Sequence, residues 1–168
     1  LIEQRRLPAA LLDPLIDTGT LYADARANAV FLLLIGTLSL SGPNCEGGSH
    51  LLARHGPGSR KDLGCFALPA RDLQACVLCE SSIDAVSCHA LHPSYRCFST
   101  AGARPDPAWL SDLVAQGGLV YCGFDRDPTG EAMAASMIAL HPSIQRLRPS
   151  HKDWNDVLRS ESETGLRA

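Results

Sequence analysis

The sequence lacks any hydrophobic run long enough to cross a membrane, and it has no excess of positive charge. Its longest apolar stretch, "AVFLLLIGTLSL" at residues 29–40, has twelve residues, whereas a membrane helix needs about 20. The net charge is −3 and the pI is near 6.0, which excludes a protein that coats nucleic acid through its overall charge. Contact with nucleic acid, if any, must be local.

A cleavable signal pattern is also lacking, and the seven cysteines are an odd number. Both features suit a reducing compartment better than a disulfide framework, so we expect a cytoplasmic protein with no membrane partner. The chain opens at Leu1 inside a stretch with a helical pattern. That opening is what we expect of a piece cut from a longer polypeptide.

The pair "CVLC" at 76–79 has the spacing of half a zinc site, with Cys88 and His89 close behind. In a strand, however, side chains three residues apart point to opposite faces, and a second pair at a defined spacing is missing. We therefore predict that this pair binds no zinc. Four cysteines are interpreted instead as small buried strand residues: Cys76, Cys79, Cys97 and Cys122.

Two regions of different pattern divide the chain. Residues 8–19 have the apolar spacing of a short helix, and strands are predicted at 21–24 and 29–35 around a turn. Residues 41–64 are rich in glycine, proline and charge, which indicates a long loop. We predict a small α+β domain with this loop over 1–64 and a second domain over 65–168.

The second domain shows a strand followed by a helix, four times in succession. Strands are predicted at 75–80, 95–100, 119–125 and 144–149, each followed by a segment with one apolar face. This alternation predicts an α/β fold, a mostly parallel sheet with helices on both faces. Ligands of such sheets bind beyond the carboxyl ends of the strands.

Carboxylates lie at two of these strand ends. Glu80 ends the first regular strand, and Asp125 and Asp127 end the third, in "VYCGFDRDPTG". Residues two apart in an extended segment point the same way, and Glu80 could face them from a neighbouring strand. Three carboxylates at one edge are costly unless a cation neutralises them. Hard oxygen ligands of this kind suit magnesium or manganese.

Structural interpretations of the same acids stay open. Asp127 precedes Pro128 and makes a good helix N-cap, while Glu80 could be a first-turn acid favoured by the helix dipole. Capping does not explain Asp125, since an unpaired charge at the end of an apolar strand is unfavourable. The letters "DRDPT" also fit the signature of phosphatases that form a phosphoaspartate. That motif belongs on the opening strand of its domain, and here an acid-bearing strand comes earlier.

Four motifs in order resemble the Toprim domain of bacterial primases and topoisomerases. They are "ESSIDAVS" at 80–87, "STAGA" at 99–103, "GFDRDPTGEAMA" at 123–134 and "KDWNDVL" at 152–158. The variant they resemble most is the primase-like one in proteins of plasmids and other mobile elements. Residues 1–33 are similar to the small domain of unknown function that often precedes it.

The resemblance implies roles for individual residues. Glu80 takes the position of the Toprim glutamate that acts as general base or acid, and Asp125 and Asp127 take metal-binding positions beside it. Accompanying motif residues with less settled roles are Asp84, Lys152, Asp153 and Asp156. The implied cofactor is Mg²⁺ or Mn²⁺. The implied activity is phosphoryl or nucleotidyl transfer on nucleic acid, with primer synthesis first and nicking or nuclease action second.

The implied partners are single-stranded DNA or RNA, nucleotides, and other domains or proteins of a replication or transfer apparatus. Basic residues near predicted strand ends could form a phosphate-binding rim: Arg96, Arg104, Arg146, Arg148, His151 and Lys152. An ordinary solvated surface explains these cations equally well. The alternative function is therefore a non-catalytic module that keeps the fold in order to bind nucleic acid or a protein.

Overall fold

The computed structural model describes residues 1–33, 64–68 and 75–165. The predicted loop at 41–64, apart from its last residue, and the end of the apolar stretch at 29–40 lie outside the described residues. The proposed boundary near residue 64 therefore stays a prediction.

Residues 1–33 form two helices and a hairpin: α1 (Ile2–Arg5), α2 (Ala9–Asp17), β1 (Leu21–Ala23) and β2 (Ala29–Phe31). The described residues from 64 onward form nine elements: β3 (Phe66–Ala67), β4 (Ala75–Cys79), α3 (Ser82–Leu91), β5 (Tyr95–Ser99), α4 (Leu110–Ala115), β6 (Val120–Cys122), α5 (Pro128–Leu140), β7 (Gln145–Arg146) and α6 (Trp154–Gly165). The four predicted strand–helix units are confirmed, although β6 ends three residues before Asp125. The short strand β3 has no counterpart in the sequence-based prediction.

The five strands β3 to β7 form one sheet in the order β3-β5-β4-β6-β7. Strands β5, β4, β6 and β7 are parallel, and β3 pairs with β5 in the antiparallel direction at the edge. From β4 the chain moves to β5 on one side and then returns to β6 on the other. The order therefore reverses between β4 and β6, and such a reversal opens a crevice at the carboxyl ends of the two strands.

Helices cover both faces of the sheet, as predicted. One buried cluster joins β4 and β5 to α3 and α6, with Val77, Val86 and Trp154 among its members. A second cluster joins the other face to α4 and α5, with Leu110 and Met137 fully buried. All residues of β4 are buried because both of its faces are packed. A strand buried on both faces requires an unbroken apolar sequence, which β4 has.

The N-terminal segment packs onto the first of these clusters. Leu7, Leu12, Leu21 and Phe31 are buried in the same cluster as Val77 of the sheet. The hairpin β1–β2 has an antiparallel register with Leu21 opposite Phe31, which places both side chains on the face that meets the sheet domain. Residues 1–33 and the sheet domain therefore share one hydrophobic core. No helix within the described ranges is long and apolar enough to span a bilayer.

The two cysteines of "CVLC" lie on opposite faces of β4. Cys79 belongs to the cluster under α3, whereas Cys76 belongs to the cluster under α4. Burial raises the pKa of the Cys76 thiol to about 12, and zinc binds the thiolate. We predict that protein purified without added zinc contains no stoichiometric zinc in metal analysis. A zinc ion that disappears when Cys76 and Cys79 are changed to Ser would contradict this.

Candidate active site

Glu80 and Asp125 meet where the strand order reverses. Glu80 directly follows β4, Asp125 comes three residues after β6, and these two strands are hydrogen-bonded neighbours. The backbone N–H of Asp125 donates a hydrogen bond to Oε1 of Glu80 at 3.1 Å. Glu80 therefore faces Asp125 from a neighbouring strand, as expected from the sequence, although the contact is to the backbone N–H of Asp125 and not to its carboxylate.

Asp127 caps helix α5. Its side chain accepts a hydrogen bond from the backbone N–H of Gly130 at 2.9 Å, and Pro128 occupies the first helical position. An Asx N-cap followed by proline at this position is a common start of a helix. The interpretation of Asp127 as an N-cap is therefore confirmed. The cap uses one carboxylate oxygen, Oδ1.

Gly130 lies close to both residues of the contact between Glu80 and Asp125. A Cβ atom added to Gly130 would overlap the backbone carbonyl oxygen of Asp125 and would lie 2.8 Å from Oε1 of Glu80. The first turn of α5 therefore approaches the loop of residues 123–127, here called the acidic loop, as closely as a glycine permits. A side chain at position 130 would therefore have to displace the acidic loop or the carboxylate of Glu80.

Gly130→Ala is expected to destabilise the chain by about 2 kcal/mol, because overpacking against a backbone atom forces the acidic loop to shift. Alanine normally stabilises a helix interior relative to glycine by up to about 1 kcal/mol, so the expected sign is the reverse of the helix propensity. Chemical denaturation measures the change. The control is Ala132→Gly on the exposed side of the same helix, which should lose stability through propensity alone. A stabilised Gly130→Ala variant would show that the loop has room to move.

Burial and mutual repulsion raise the pKa values of three carboxyl groups at this edge. Burial raises the pKa of Asp125 to about 7, and that of Asp84 to about 6. The pKa of Glu80 is also raised, by burial first, although the hydrogen bond from Asp125 opposes the shift. Nearby carboxylates raise the pKa of Asp125 further: Asp84, Glu80, Asp153 and Asp127. Five acidic side chains thus interact across one small region.

Asp84 belongs to a buried hydrogen-bond network. The hydroxyl of Ser81 donates to Oδ2 of Asp84 at 2.5 Å, and the backbone N–H of Asn155 approaches Oδ1 at 3.3 Å. The amide group of Asn155 donates in turn to the carbonyl oxygen of Arg5 at 2.7 Å and to the hydroxyl of Ser87 at 3.0 Å. Asn155, which the sequence-based analysis did not single out, therefore connects α1 to the acidic region.

The remaining motif acids and the lysine differ in their distance from the site. Asp153 caps α6 by accepting from the N–H of Asp156 at 2.7 Å, while its charge still raises the pKa of Asp84 and Asp125. Lys152 is exposed and its charge lowers the pKa of Glu80. Asp156 pairs with Arg159 on the surface of α6 at 3.3 Å. Lys152 and Asp153 are thus near the carboxylates, and Asp156 has a surface partner instead.

The four arginines predicted to bind phosphate lie in different environments. Arg96 is 4 % exposed, stacks over the ring of Phe98 and lies near the start of β5, away from the carboxyl ends. Arg146 is turned inward, with its side chain 12 % exposed. Arg104 is half-buried in the segment between β5 and α4. Arg148 is 63 % exposed and pairs with Glu131 at 3.0 Å.

A further cation lies on the acidic loop itself. Arg126 is exposed between Asp125 and Asp127, and its guanidinium donates to the carbonyl oxygen of Ser150 at 3.1 Å. The backbone N–H of Arg126 donates to the carbonyl oxygen of Lys152 at 2.6 Å. This residue was not among the sequence-based candidates, although its position inside the D-x-D motif could have identified it.

The acidic region opens into a cavity of 540 Å³ between the sheet domain and the N-terminal hairpin. Glu80, Asp84 and Asp125 line one side, and Asn28 and Phe31 of the hairpin line the other. The carboxylates are therefore accessible from a concave site that both parts of the chain form. A larger, mostly apolar groove of 860 Å³ lies between α1, α2 and the hairpin, away from these carboxylates.

The described side chains are only partly arranged for a metal ion. No group of three or more His, Cys, Asp or Glu residues within the described ranges converges closely enough to hold one. Oδ1 of Asp125, however, is buried and has no hydrogen-bond partner among the described residues. A buried, unpaired carboxylate oxygen surrounded by other carboxylates is chemically suited to a hard cation. The donor set at Glu80, Asp125 and Asp127 therefore fits a divalent ion in charge and ligand type.

Comparison with known proteins agrees with the fold. A model of the Toprim-like family matches residues 77–158, a range that contains the carboxylates described above. No curated protein sequence matches the chain. The Toprim-like resemblance seen in the motifs is thus supported over the sheet domain, and the predicted fold class is confirmed.

Solved structures of primases share this fold at low sequence identity. The primase fragment of the bacteriophage T7 primase-helicase is 12 % identical with a TM-score of 0.56, and the match covers 92 % of this chain and 68 % of that one. A DNA primase domain from Pseudomonas aeruginosa is 17 % identical with a TM-score of 0.52, covering 93 % and 57 %. The DnaG catalytic core is 13 % identical with a TM-score of 0.51, covering 99 % and 62 %. The similarity therefore extends over residues 1–33 as well as the sheet domain.

Proposed function

We propose that this chain is the Toprim module of a primase-like protein that processes DNA, with phosphoryl or nucleotidyl transfer on nucleic acid as its chemistry. The observation that carries the proposal is the contact between Glu80 and the N–H of Asp125 at the strand reversal, inside the cavity. Similarity to primase catalytic domains supports primer synthesis as the first activity to test. Nicking of DNA is the second. The protein of origin is proposed to be cytoplasmic and to belong to a plasmid or other mobile element.

Glu80 is proposed to move the proton of the attacking hydroxyl. Burial raises its pKa, which makes the carboxylate a stronger base than an exposed glutamate while Lys152 and Arg146 oppose a complete loss of its charge. The hydrogen bond from Asp125 holds Oε1 and leaves the second carboxylate oxygen for proton transfer. Glu80 thus has both the orientation and the basicity that the role requires.

Magnesium or manganese is the proposed cofactor, held by Asp125 and Asp127 with Glu80. When bound, such an ion stabilises the charge that develops on a phosphoryl group. Oδ1 of Asp125, which has no described hydrogen-bond partner, is free to act as a ligand. Asp127 would contribute the carboxylate oxygen that does not cap α5. Asp84, Asp153 and Lys152 are proposed to adjust the charge around these residues.

Single-stranded DNA or RNA and nucleotides are the proposed ligands of the cavity, with other replication or transfer proteins as partners. Arg104, Arg126, His151 and Lys152 are the cations proposed to contact phosphates, whereas the guanidinium of Arg148 is paired with Glu131. The alternative, a binding module without catalysis, draws support from the absence of a converged metal group among the described residues. Both functions use the same cavity.

A primer-synthesis assay tests the proposal on the full polypeptide. With a single-stranded DNA template and labelled ribonucleotides, short products are expected in millimolar Mg²⁺ or Mn²⁺ and none in excess chelator. Binding of single-stranded DNA to the chain should weaken steeply with salt, because each phosphate contact releases counterions. Salt-dependent binding with no product under any metal would favour the binding module. Neither binding nor product would exclude both functions.

A further inference from the structure

Arg146 donates hydrogen bonds to three carbonyl groups where β6 leads into the acidic loop. Its Nη1 contacts the carbonyl oxygen of Cys122 at 3.0 Å, and its Nη2 contacts those of Phe124 at 2.8 Å and Asp125 at 3.2 Å. Arg146 lies on β7 directly opposite Cys122 of β6. The guanidinium therefore contacts the backbone where the chain leaves β6 and enters the loop that bears Asp125.

One peptide group links this guanidinium to Glu80. The carbonyl oxygen of Phe124 accepts from Nη2 of Arg146, and the N–H on the other side of the same peptide bond, that of Asp125, donates to Oε1 of Glu80. Because the peptide group is planar, its orientation at one end determines its orientation at the other. Rotation of this peptide away from Arg146 would also break the contact with Glu80.

The guanidinium of Arg146 also contacts the carboxylate of Glu131 on α5. Nη2 of Arg146 donates to Oε1 of Glu131 at 2.8 Å, and Arg148 donates to both carboxylate oxygens of Glu131. Arg146 is largely buried, whereas Arg148 is mostly exposed. The two arginines thus share the partner Glu131, and of the pair only Arg146 has contacts with the acidic loop among the described hydrogen bonds.

We propose that Arg146 is a positioning residue that orients the peptide between Phe124 and Asp125 and so aligns Glu80 and Asp125 with each other. This inference rests on the proposed function for its catalytic meaning, since it concerns the same site. It assigns Arg146 a role different from the phosphate contact expected from the sequence. A planar guanidinium with donors on separate nitrogens can hold these three carbonyl groups and a carboxylate together, and a lysine ammonium on its single nitrogen cannot match that geometry.

Hydrogen exchange of the Asp125 amide in the metal-free chain tests the alignment directly. In Arg146→Ala this amide is expected to exchange at least about 10-fold faster, while amides of β4 and β5 keep their protection. Arg148→Ala is the matched control, because it removes a cation from the same Glu131 without touching the loop, and it should stay within about twofold. Arg146→Lys keeps the charge, and its Asp125 amide should lose protection as in the Ala variant. If the Ala variant does not fold, the Lys variant provides the test.

Binding of Mn²⁺, followed by electron paramagnetic resonance, gives the second measurement. The affinity is expected to fall about 10-fold in both Arg146 variants and to stay within about twofold in Arg148→Ala. Parent-like protection of the Asp125 amide in the Arg146 variants, or equal losses in Arg148→Ala, would overturn the positioning role. A parent chain that binds no Mn²⁺ would count against the proposed function alone, and the amide comparison would still decide the role of Arg146.

Discussion

Glu80→Gln is expected to reduce primer synthesis or nicking by the full polypeptide at least about 100-fold, the usual contribution of general acid–base catalysis. The amide retains the shape of the side chain and an oxygen that can accept from the N–H of Asp125. It cannot take up the proton of an attacking hydroxyl. The fold should be retained, and Asp125 and Asp127 should keep most of the metal affinity, so the loss should appear in turnover.

The measurement is the rate of primer formation at saturating template and nucleotide, with circular dichroism and Mn²⁺ binding as checks on the variant. Glu161→Gln provides the matched control, because it makes the same substitution at an exposed position of α6. It should have the activity of the parent. Glu80→Gln activity within a factor of about two of the parent would remove Glu80 from the proton-transfer role.

Asp125→Asn is expected to leave the metal-free chain as stable as the parent or to make it more stable at pH 8. The folded-state pKa of Asp125 is raised from 3.8 to about 7, by burial first and then by Asp84 and the other nearby carboxylates. A carboxyl with a raised pKa contributes stability at low pH, and that contribution is lost as the pH rises through the folded-state value. Ionised Asp125 therefore destabilises the folded chain above about pH 7.

In excess chelator, the parent should gain stability as the pH falls from 8 to 5. The raised pKa values of Asp84 and Glu80 act in the same direction. A pKa change of one unit corresponds to about 1.4 kcal/mol when nothing screens the charge. Because Asp125 is only half-buried, solvent screening reduces its total contribution to roughly 1 kcal/mol. The Asn variant should show a smaller gain.

Millimolar Mg²⁺ or Mn²⁺ should raise the melting temperature of the parent at pH 8, by an amount that grows with the logarithm of the metal concentration. Asp125→Asn should lose most of this gain. Asp127→Ala serves as the comparison, because loss of its N-cap should cost roughly 1 kcal/mol in chelator as well. If Asp125→Asn were destabilised in chelator and responded to metal as the parent does, Asp125 would be a structural residue and not a metal ligand.

The two aspartates of "GFDRDPTG" thus illustrate how far a local pattern reaches. Asp127 before Pro128 predicts an N-cap, and the structure shows that cap, because capping depends only on residues within one turn. Asp125 follows an apolar strand and has no local partner, which pointed to a site at the sheet edge. Neither feature could reveal that the N–H of Asp125 would bond to Glu80, 45 residues away.

The sequence by itself determined the alternation of strands and helices, the burial of the cysteines in strands and the location of three acids just beyond strands, because these depend on periodicity and on neighbours along the chain. Strand order, the crevice between β4 and β6, and the shared core with residues 1–33 depend on contacts between distant segments, so only the tertiary structure decided them. The arginines show this most clearly. In the sequence Arg96, Arg146 and Arg148 are equivalent cations, but burial separates them: one stacks on Phe98 in the sheet, one holds the acidic loop, and one pairs with Glu131 at the surface. The fold determines which groups surround each cation, and the free-energy cost of burying the cation depends on those groups.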